Sequence, residues 1–278
     1  MSRRVWIVGP VAWDTVLYID DYPPVGGYAP GKELIERPGG SAGNVALGLC
    51  TSGVETGFVT YLGNDAHGEA LERVLRHSEI RHLEIARVQG PSSHVLVVVD
   101  GKGNRTIFEL NRSHLHEVSL EGVPLEADDI VCFVFWRPHF RESLRLARDA
   151  GCTTILGVEA LDDEAVEFAD VIIGSAEGQA QGRDFSALLH RFPKIVLTQG
   201  EQGAICISAA GTAHQPAFPA EVLDTTGAGD AFLAGFLMAY ARGLTEGTRA
   251  LEAGARWAAL MVTRPTSIPP PWREVQWG

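Results

Sequence analysis

Basic residues are in short supply in this chain: 23 lysines and arginines face 35 aspartates and glutamates, a formal net charge of -12. A surface of that sign argues against nucleic acid and against an anionic membrane as partner. Cysteine is scarce too. Cys50, Cys132, Cys152 and Cys206 lie far apart among apolar or small neighbours, with no Cys-x-x-Cys and no His-Glu-x-x-His spacing, so structural zinc is not expected. Dispersed thiols of this kind fit buried free cysteines in a reducing compartment. No apolar run approaches membrane-spanning length. Arg3-Arg4 ahead of Val5 to Trp13 has the outline of a signal peptide, but Pro10 breaks the run, Asp14 follows at once and no clear cleavage site is present. The expectation is a soluble cytoplasmic protein. A Gly-x-x-x-x-Gly-Lys-Ser/Thr motif is missing, which excludes a P-loop. No repeat, low-complexity tract or linker divides the 278 residues, and a single domain over 1–278 is expected.

What is present is an apolar content of 45%, enough for a large core. Val5-Trp6-Ile7-Val8-Gly9 is a short, fully apolar run of the kind that forms a buried parallel strand. Beyond residue 128 short apolar runs recur at 129–135, 153–157, 171–173 and 194–198. Helices are expected between them over 141–150, around 164–168 and after Asp184. Such β-α alternation predicts a doubly wound parallel sheet with helices on both faces. His94–Val99 and Arg105–Leu110 alternate around the turn Asp100-Gly101-Lys102-Gly103-Asn104. They predict a hairpin that forms, with the 28–37 stretch, a small sheet apart from the main layers.

Two glycine-rich stretches stand out. The first is Leu223-Asp224-Thr225-Thr226-Gly227-Ala228-Gly229-Asp230-Ala231-Phe232, which runs into a helical pattern continued by Phe236, Ala239 and Tyr240. A Gly-Ala-Gly turn opening a helix leaves N–H groups without partners at the positive end of the dipole, a place for an anion. Alone, such a turn also fits an ordinary core helix capped by Thr226, with Asp230 favouring its positive end. The second is Gly39-Gly40-Ser41-Ala42-Gly43-Asn44-Val45-Ala46-Leu47. Here glycines let the backbone close on a ligand, and Asn44 offers both a donor and an acceptor.

In this order, the two stretches closely resemble the paired signatures of the ribokinase-like (PfkB) carbohydrate kinases, nearest in character to ketohexokinase- and fructokinase-type members. The likeness extends from Val5 to about Pro270. It implies a ribokinase-like fold with a small β-sheet lid inserted from about 15–38 and 92–112. The implied reaction is ATP-dependent transfer of the γ-phosphoryl group to a primary hydroxyl of a small sugar, such as a ketohexose or fructose derivative. Carried over by position, Gly227, Ala228 and Gly229 form the anion hole and Asp230 is the catalytic base, kept ionised by the helix-end amides. Asp14, Gly39, Gly40 and Asn44 hold the sugar, and Arg112 at the end of the hairpin approaches the phosphates. Thr198, Gly200 and Gly203, in a Thr-x-Gly-x-x-Gly loop, and Thr226 serve the nucleotide. Asp224 and Ser267 fall beside a monovalent-cation (potassium) site.

Two departures matter. Gly174-Ser175-Ala176-Glu177 stands where the family has Asn-x-x-Glu, which leaves Glu177 to hold magnesium through water. The loop around Pro265 is shortened, which counts against potassium activation. A nucleoside kinase of the same superfamily would keep every catalytic residue. An inactive sugar- or nucleotide-binding regulator has only the missing Asn in its favour. The expected partners are a small sugar, a nucleotide and a second copy of the chain, paired through exposed lid edges.

Overall fold

Val5-Trp6-Ile7-Val8 forms strand β1 (Val5–Val8), and every residue of it is buried. A strand without a polar face must be covered on both sides, so it belongs inside a sheet. The computed structural model describes residues 2–245 and 248–277. After β1 come β2 (Ala12–Tyr18), β3 (Glu33–Gly39), α1 (Ser41–Cys50), β4 (Thr56–Leu62), α2 (Ala66–His77) and β5 (His82–Arg87). Next are β6 (Ser93–Val99), β7 (Arg105–Glu109), β8 (Ile130–Phe133), α3 (Arg141–Asp149), β9 (Thr153–Gly157) and β10 (Val171–Ser175). The chain ends with β11 (Lys194–Thr198), β12 (Ala204–Ser208), β13 (Gly211–Gln215), α4 (Ala228–Ala241) and α5 (Arg249–Met261).

The large sheet has the order β13-β12-β11-β10-β9-β8-β1-β4-β5. Its neighbours are parallel from β5 to β11, and β12 and β13 close it antiparallel. Val5 and Ile7 point into the layer shared with α1, α2, α4 and α5, while Trp6 and Val8 point into the layer that holds α3. The doubly wound α/β fold is therefore as expected. Strand order turns back at β1, between β8 on one side and β4 on the other. In open α/β sheets the crevice at that reversal, beyond the carboxyl ends of the strands, is where ligands bind.

The chain leaves that end of β1 through Gly9-Pro10 and builds the second sheet, of order β3-β2-β6-β7. The hairpin expected around Asp100–Asn104 is its β6–β7 pair. Asp100 shapes that turn by accepting from the N–H groups of Lys102 and Asn104 at 2.9 and 2.8 Å. In the register, Asp14 lies opposite Arg37 and Val95, and Val97 lies opposite Val16 and Ile107. Strand alternation then puts Asp14, Val16, Ile35, Arg37, Val97, Arg105 and Ile107 on one face.

Two expected helices do not form. The 164–168 stretch is irregular, because Asp163 Oδ1 takes the Ala165 N–H at 3.1 Å and holds the chain in a local turn. Beyond β10 there are only 3-10 turns at Gly178–Ala180 and Ser186–Leu188. After Asp184 the stretch is cut short by Pro193, which disfavours helical backbone at the residue before it.

Candidate active site

Asp230 sits in the first turn of α4, whose N-cap is Gly227 at φ 77°. A Cβ at Gly227 would lie 2.3 Å from the Ser267 carbonyl oxygen, so the turn both needs a left-handed residue and has no room for a side chain. Asp224 Oδ1 accepts from the Thr226 N–H at 2.7 Å, and the Ala228 N–H bonds the Thr225 carbonyl at 3.2 Å. Among the described residues, the N–H groups of Gly227, Gly229 and Asp230 have no backbone partner. The amides open to an anion are thus fewer than in the Gly-Ala-Gly reading, because the Ala228 amide is already engaged. Thr226 does not cap α4; no side chain does.

The second helix of the site is α1, which follows Gly40 at φ 80°. A Cβ at Gly40 would meet the Ala12 amide nitrogen at 2.6 Å. Asn44, on the first turns of α1, donates from Nδ2 to Asp230 Oδ2 at 2.8 Å, and Ser41 also hydrogen-bonds Asp230. Two helix N-termini therefore converge on one carboxylate. At Asp230 burial works against the charged form. Burial pushes its pKa up to about 6, against the opposing hydrogen bonds of Asn44 and Ser41 and the charge of Arg105. Asn44 Oδ1 is buried and has no partner, an acceptor left open.

Asp14 lies within β2 of the small sheet. Only 6% of it is exposed. Burial raises its pKa to about 6, Arg37 opposes that and Asp230 adds to it. Gly39 is fixed by this carboxylate, since a Cβ there would fall 2.0 Å from Asp14 Oδ2.

Arg112 is exposed and makes no hydrogen bond or ion pair among the described residues. Arg105 on β7 reaches the turn ahead of α4, where its Nη1 donates to Thr225 Oγ1 at 3.3 Å. The signal for it was the hairpin alternation, which sets Arg105 on the same face as Asp14. Asn111 is structural: its side chain bonds the Ser92 carbonyl and the His94 N–H at 2.7 and 3.3 Å.

On the other side of the crevice, Thr198 ends β11 and Gly200 and Gly203, at φ 57° and 97°, shape the turn into β12. Thr198 Oγ1 donates to the Gly174 carbonyl at 3.4 Å, tying the ends of β11 and β10 together. Glu177 is exposed at the same rim, but neither it nor Thr198 hydrogen-bonds Asp230. A Cβ at Gly174 would lie 2.6 Å from Val158 Cβ, which explains why this chain carries no Asn there. Among the described residues no three His, Cys, Asp or Glu side chains gather to cage a metal. One exposed carboxylate at the rim fits a magnesium ion that arrives hydrated on a nucleotide.

The monovalent-cation site is a poorer fit. Asp224 Oδ2 is buried without a partner and would welcome a cation. Yet Ser267 Oγ is spent on the Pro38 carbonyl at 3.2 Å, and Arg37 Nη1 already donates to the Pro265 carbonyl at 3.3 Å. A potassium ion added there would face a guanidinium.

The family model described as pfkB family carbohydrate kinase matches residues 8–133 and 162–273. An ATP-dependent ribose-1-phosphate kinase of Halopiger xanaduensis is 30% identical, over 94% of this chain and 92% of that one. A fructokinase of Klebsiella pneumoniae is 28% identical, over 85% of this chain and 84% of that one. Among solved structures, the nucleoside kinase of Methanocaldococcus jannaschii superposes with a TM-score of 0.81 at 21% identity, covering 98% of this chain and 96% of that one. With both glycine-led helices, the paired aspartates and a match over most of its length, the chain belongs to the pfkB family of carbohydrate kinases and is a phosphotransferase.

Proposed function

We propose that the enzyme transfers the γ-phosphoryl group of ATP to a primary hydroxyl of a small sugar, a ketohexose or fructose derivative. The observation that carries this is the 2.8 Å hydrogen bond from Asn44 to Asp230. It joins the two glycine-led helices at one carboxylate, and the buried Asp14 is close enough for that carboxylate to raise its pKa. Asp14 and the open Oδ1 of Asn44 are placed to hold sugar hydroxyls. Asp230 takes the proton of the attacking one. With a pKa of about 6 it is mostly ionised at neutral pH and a stronger base than a free carboxylate. The free N–H groups of Gly227, Gly229 and Asp230 and the Arg105 guanidinium stabilise charge on the equatorial oxygens. Glu177 would hold, through water, a magnesium ion bound with the nucleotide, which would supply further neutralisation of that charge. The preference for a ketohexose has a 28% identical fructokinase behind it.

The test is an ADP-release screen over fructose, fructose phosphates, ribose, ribose 1-phosphate and nucleosides. The expected result is a fructose-type acceptor with kcat/KM more than about tenfold above any nucleoside. A nucleoside preferred by the same margin would transfer the reading to a nucleoside kinase. No acceptor at all, with ATP and sugar still bound, would mean a binding regulator.

Two further expectations belong to this proposal. Arg105→Gln should lower kcat about tenfold or more, the loss of one charge-assisted hydrogen bond, while Arg112→Gln stays within about twofold of wild type. Equal losses in steady-state assays would return the role to Arg112. The second concerns assembly. Leu34, Phe108 and Leu110 of the small sheet are 61%, 50% and 50% exposed. Register puts Leu34 and Phe108 on the sheet face opposite Asp14. A homodimer that pairs these lids would cover them. Light scattering should give twice the 29.9 kDa chain mass, and Phe108→Asp should give the monomer. A wild-type monomer with full activity would sink the dimer.

A further inference from the structure

The small sheet joins the main body at one end only. Ala12 lies opposite Gly39 and Ser93 in the register, and the Leu110 N–H bonds the His94 carbonyl at 2.9 Å. Every passage of the chain between the two sheets therefore gathers at that end. Asp14 lies two residues further along β2, so a tilt of the sheet at this junction would move its carboxylate relative to Asp230.

The junction is tied around Ser92, which is fully buried just ahead of β6. Asp65 takes both of its donors: Oδ2 accepts from the Ser92 N–H at 3.0 Å and Oδ1 from Ser92 Oγ at 2.7 Å. The same Oδ1 caps α2 by accepting from the Gly68 N–H at 2.8 Å. Ser92 Oγ accepts in turn from the Gly63 N–H at 2.9 Å, and the Ser92 carbonyl accepts from Asn111, beyond β7. A Cβ at Gly63 would fall 2.3 Å from the Gly90 carbonyl oxygen and 2.3 Å from the Ser92 nitrogen, so the two segments touch backbone to backbone. Burial opposes the charge of Asp65, but the bonds from Ser92 and Gly68 hold its pKa below the ordinary carboxylate value. Two residues on, His67 stacks on Trp13, with ring centroids 5.5 Å and planes 9° apart, and meets His94 edge-on at 4.5 Å. His94 Nε2 shares a 2.8 Å hydrogen bond with Thr15 Oγ1. Trp13 and Thr15 are the neighbours of Asp14 on β2. An ordinary N-cap serves its own helix; most of the bonds of Asp65 go to another segment.

We propose that Asp65 is a positioning residue: by holding Ser92 against the start of α2 it sets the angle of the small sheet on the body, and thereby aims Asp14 at the acceptor. The inference rests on the kinase reading of Asp14 and Asp230, but its first measurement needs no turnover.

Asp65→Ser is the decisive variant, since serine caps a helix about as well as aspartate but cannot span both donors of Ser92. In hydrogen exchange, the peptide over β6 should lose protection by about tenfold or more, while the peptide over α2 stays within about twofold of wild type. With ATP and fructose, KM for fructose should rise about tenfold, the loss of one charge-assisted hydrogen bond, and KM for ATP should stay within about twofold. Ser92→Ala leaves Asp65 capping α2 and should show the same split. The double variant should be no worse than the worse single one, because both break one contact. A loosened α2 with β6 unchanged would make Asp65 an ordinary cap and overturn the proposal. Equal rises in both KM values, or additive effects in the double variant, would overturn it as well. Should Asp65→Ser fail to fold, Ser92→Ala decides by the same readouts. No turnover of any acceptor by wild type would strike the kinase reading, and exchange would still decide whether Asp65 sets the sheet.

Discussion

Asp230→Asn is expected to lower kcat by about 10²–10⁴-fold, the usual worth of a general base, with the KM of both substrates nearly unchanged. Asn retains the size and can still hydrogen-bond Asn44 and a sugar hydroxyl, but it cannot take the proton. The same substitution should make the protein more stable at neutral pH. In the native state the Asp230 carboxyl keeps its proton up to about pH 6, whereas in an unfolded chain it releases it near pH 4 (about 3.9). Between those values the native state binds more protons than the unfolded one, so stability falls as pH rises, and above pH 6 the full penalty of the buried charge is in force. Asn never ionises. Its melting temperature should exceed that of wild type at pH 7.5, by a free energy on the order of 2 kcal/mol, and the gain should vanish near pH 4. Wild-type kcat/KM should fall on the acid side with a midpoint near the same pKa of about 6. An Asp230→Asn enzyme that keeps more than about a tenth of wild-type kcat would place the base elsewhere.

How much of this was legible in the sequence depended on how local the determinant was. The openings of α1 and α4 could be read directly, because glycines and a first-turn polar residue are themselves the cause of the geometry. The buried run of β1 was equally plain. Asp14 could be singled out by the resemblance, but nothing local announced that Ala12–Tyr18 re-extends to pair with β3 and β6. The helix expected at 164–168 failed because Asp163 turns the backbone locally, and that five-residue apolar pattern is too short to oppose it. Arg105 stood out only as one of several polar residues of the hairpin, because its bond to Thr225 joins residues 120 apart in sequence. The missing Asn at position 174 looked like a functional loss, and the structure gives it a steric origin in Val158.

The two glycines of the anion-hole turn should respond very differently to the same methyl group. At Gly227 the backbone is left-handed, at φ 77°, a conformation that costs an alanine about 1–2 kcal/mol. Its Cβ would lie 2.3 Å from the Ser267 carbonyl oxygen and 2.9 Å from Met261 Cε. The methionine can move, but the carbonyl is backbone, and the Ser267 side chain is held by Pro38. The turn itself must therefore shift, and the N–H groups of Gly227, Gly229 and Asp230 lose their aim. Misplacing a preorganised donor typically costs about 10²–10³-fold in kcat, which is the loss expected for Gly227→Ala. A drop in melting temperature should accompany it. At Gly229 φ is not positive and a Cβ would meet nothing within 4 Å. The position lies inside the first turn of α4, where alanine is the better helix former by about 1 kcal/mol. Gly229→Ala should therefore fold at least as stably as wild type, and any activity it loses reports crowding of the bound phosphate alone. Calorimetry with steady-state kinetics on both variants separates the cases. If Gly227→Ala melted lower but kept kcat within about tenfold of wild type, the turn would be a structural corner and the phosphate would have to be held by other groups.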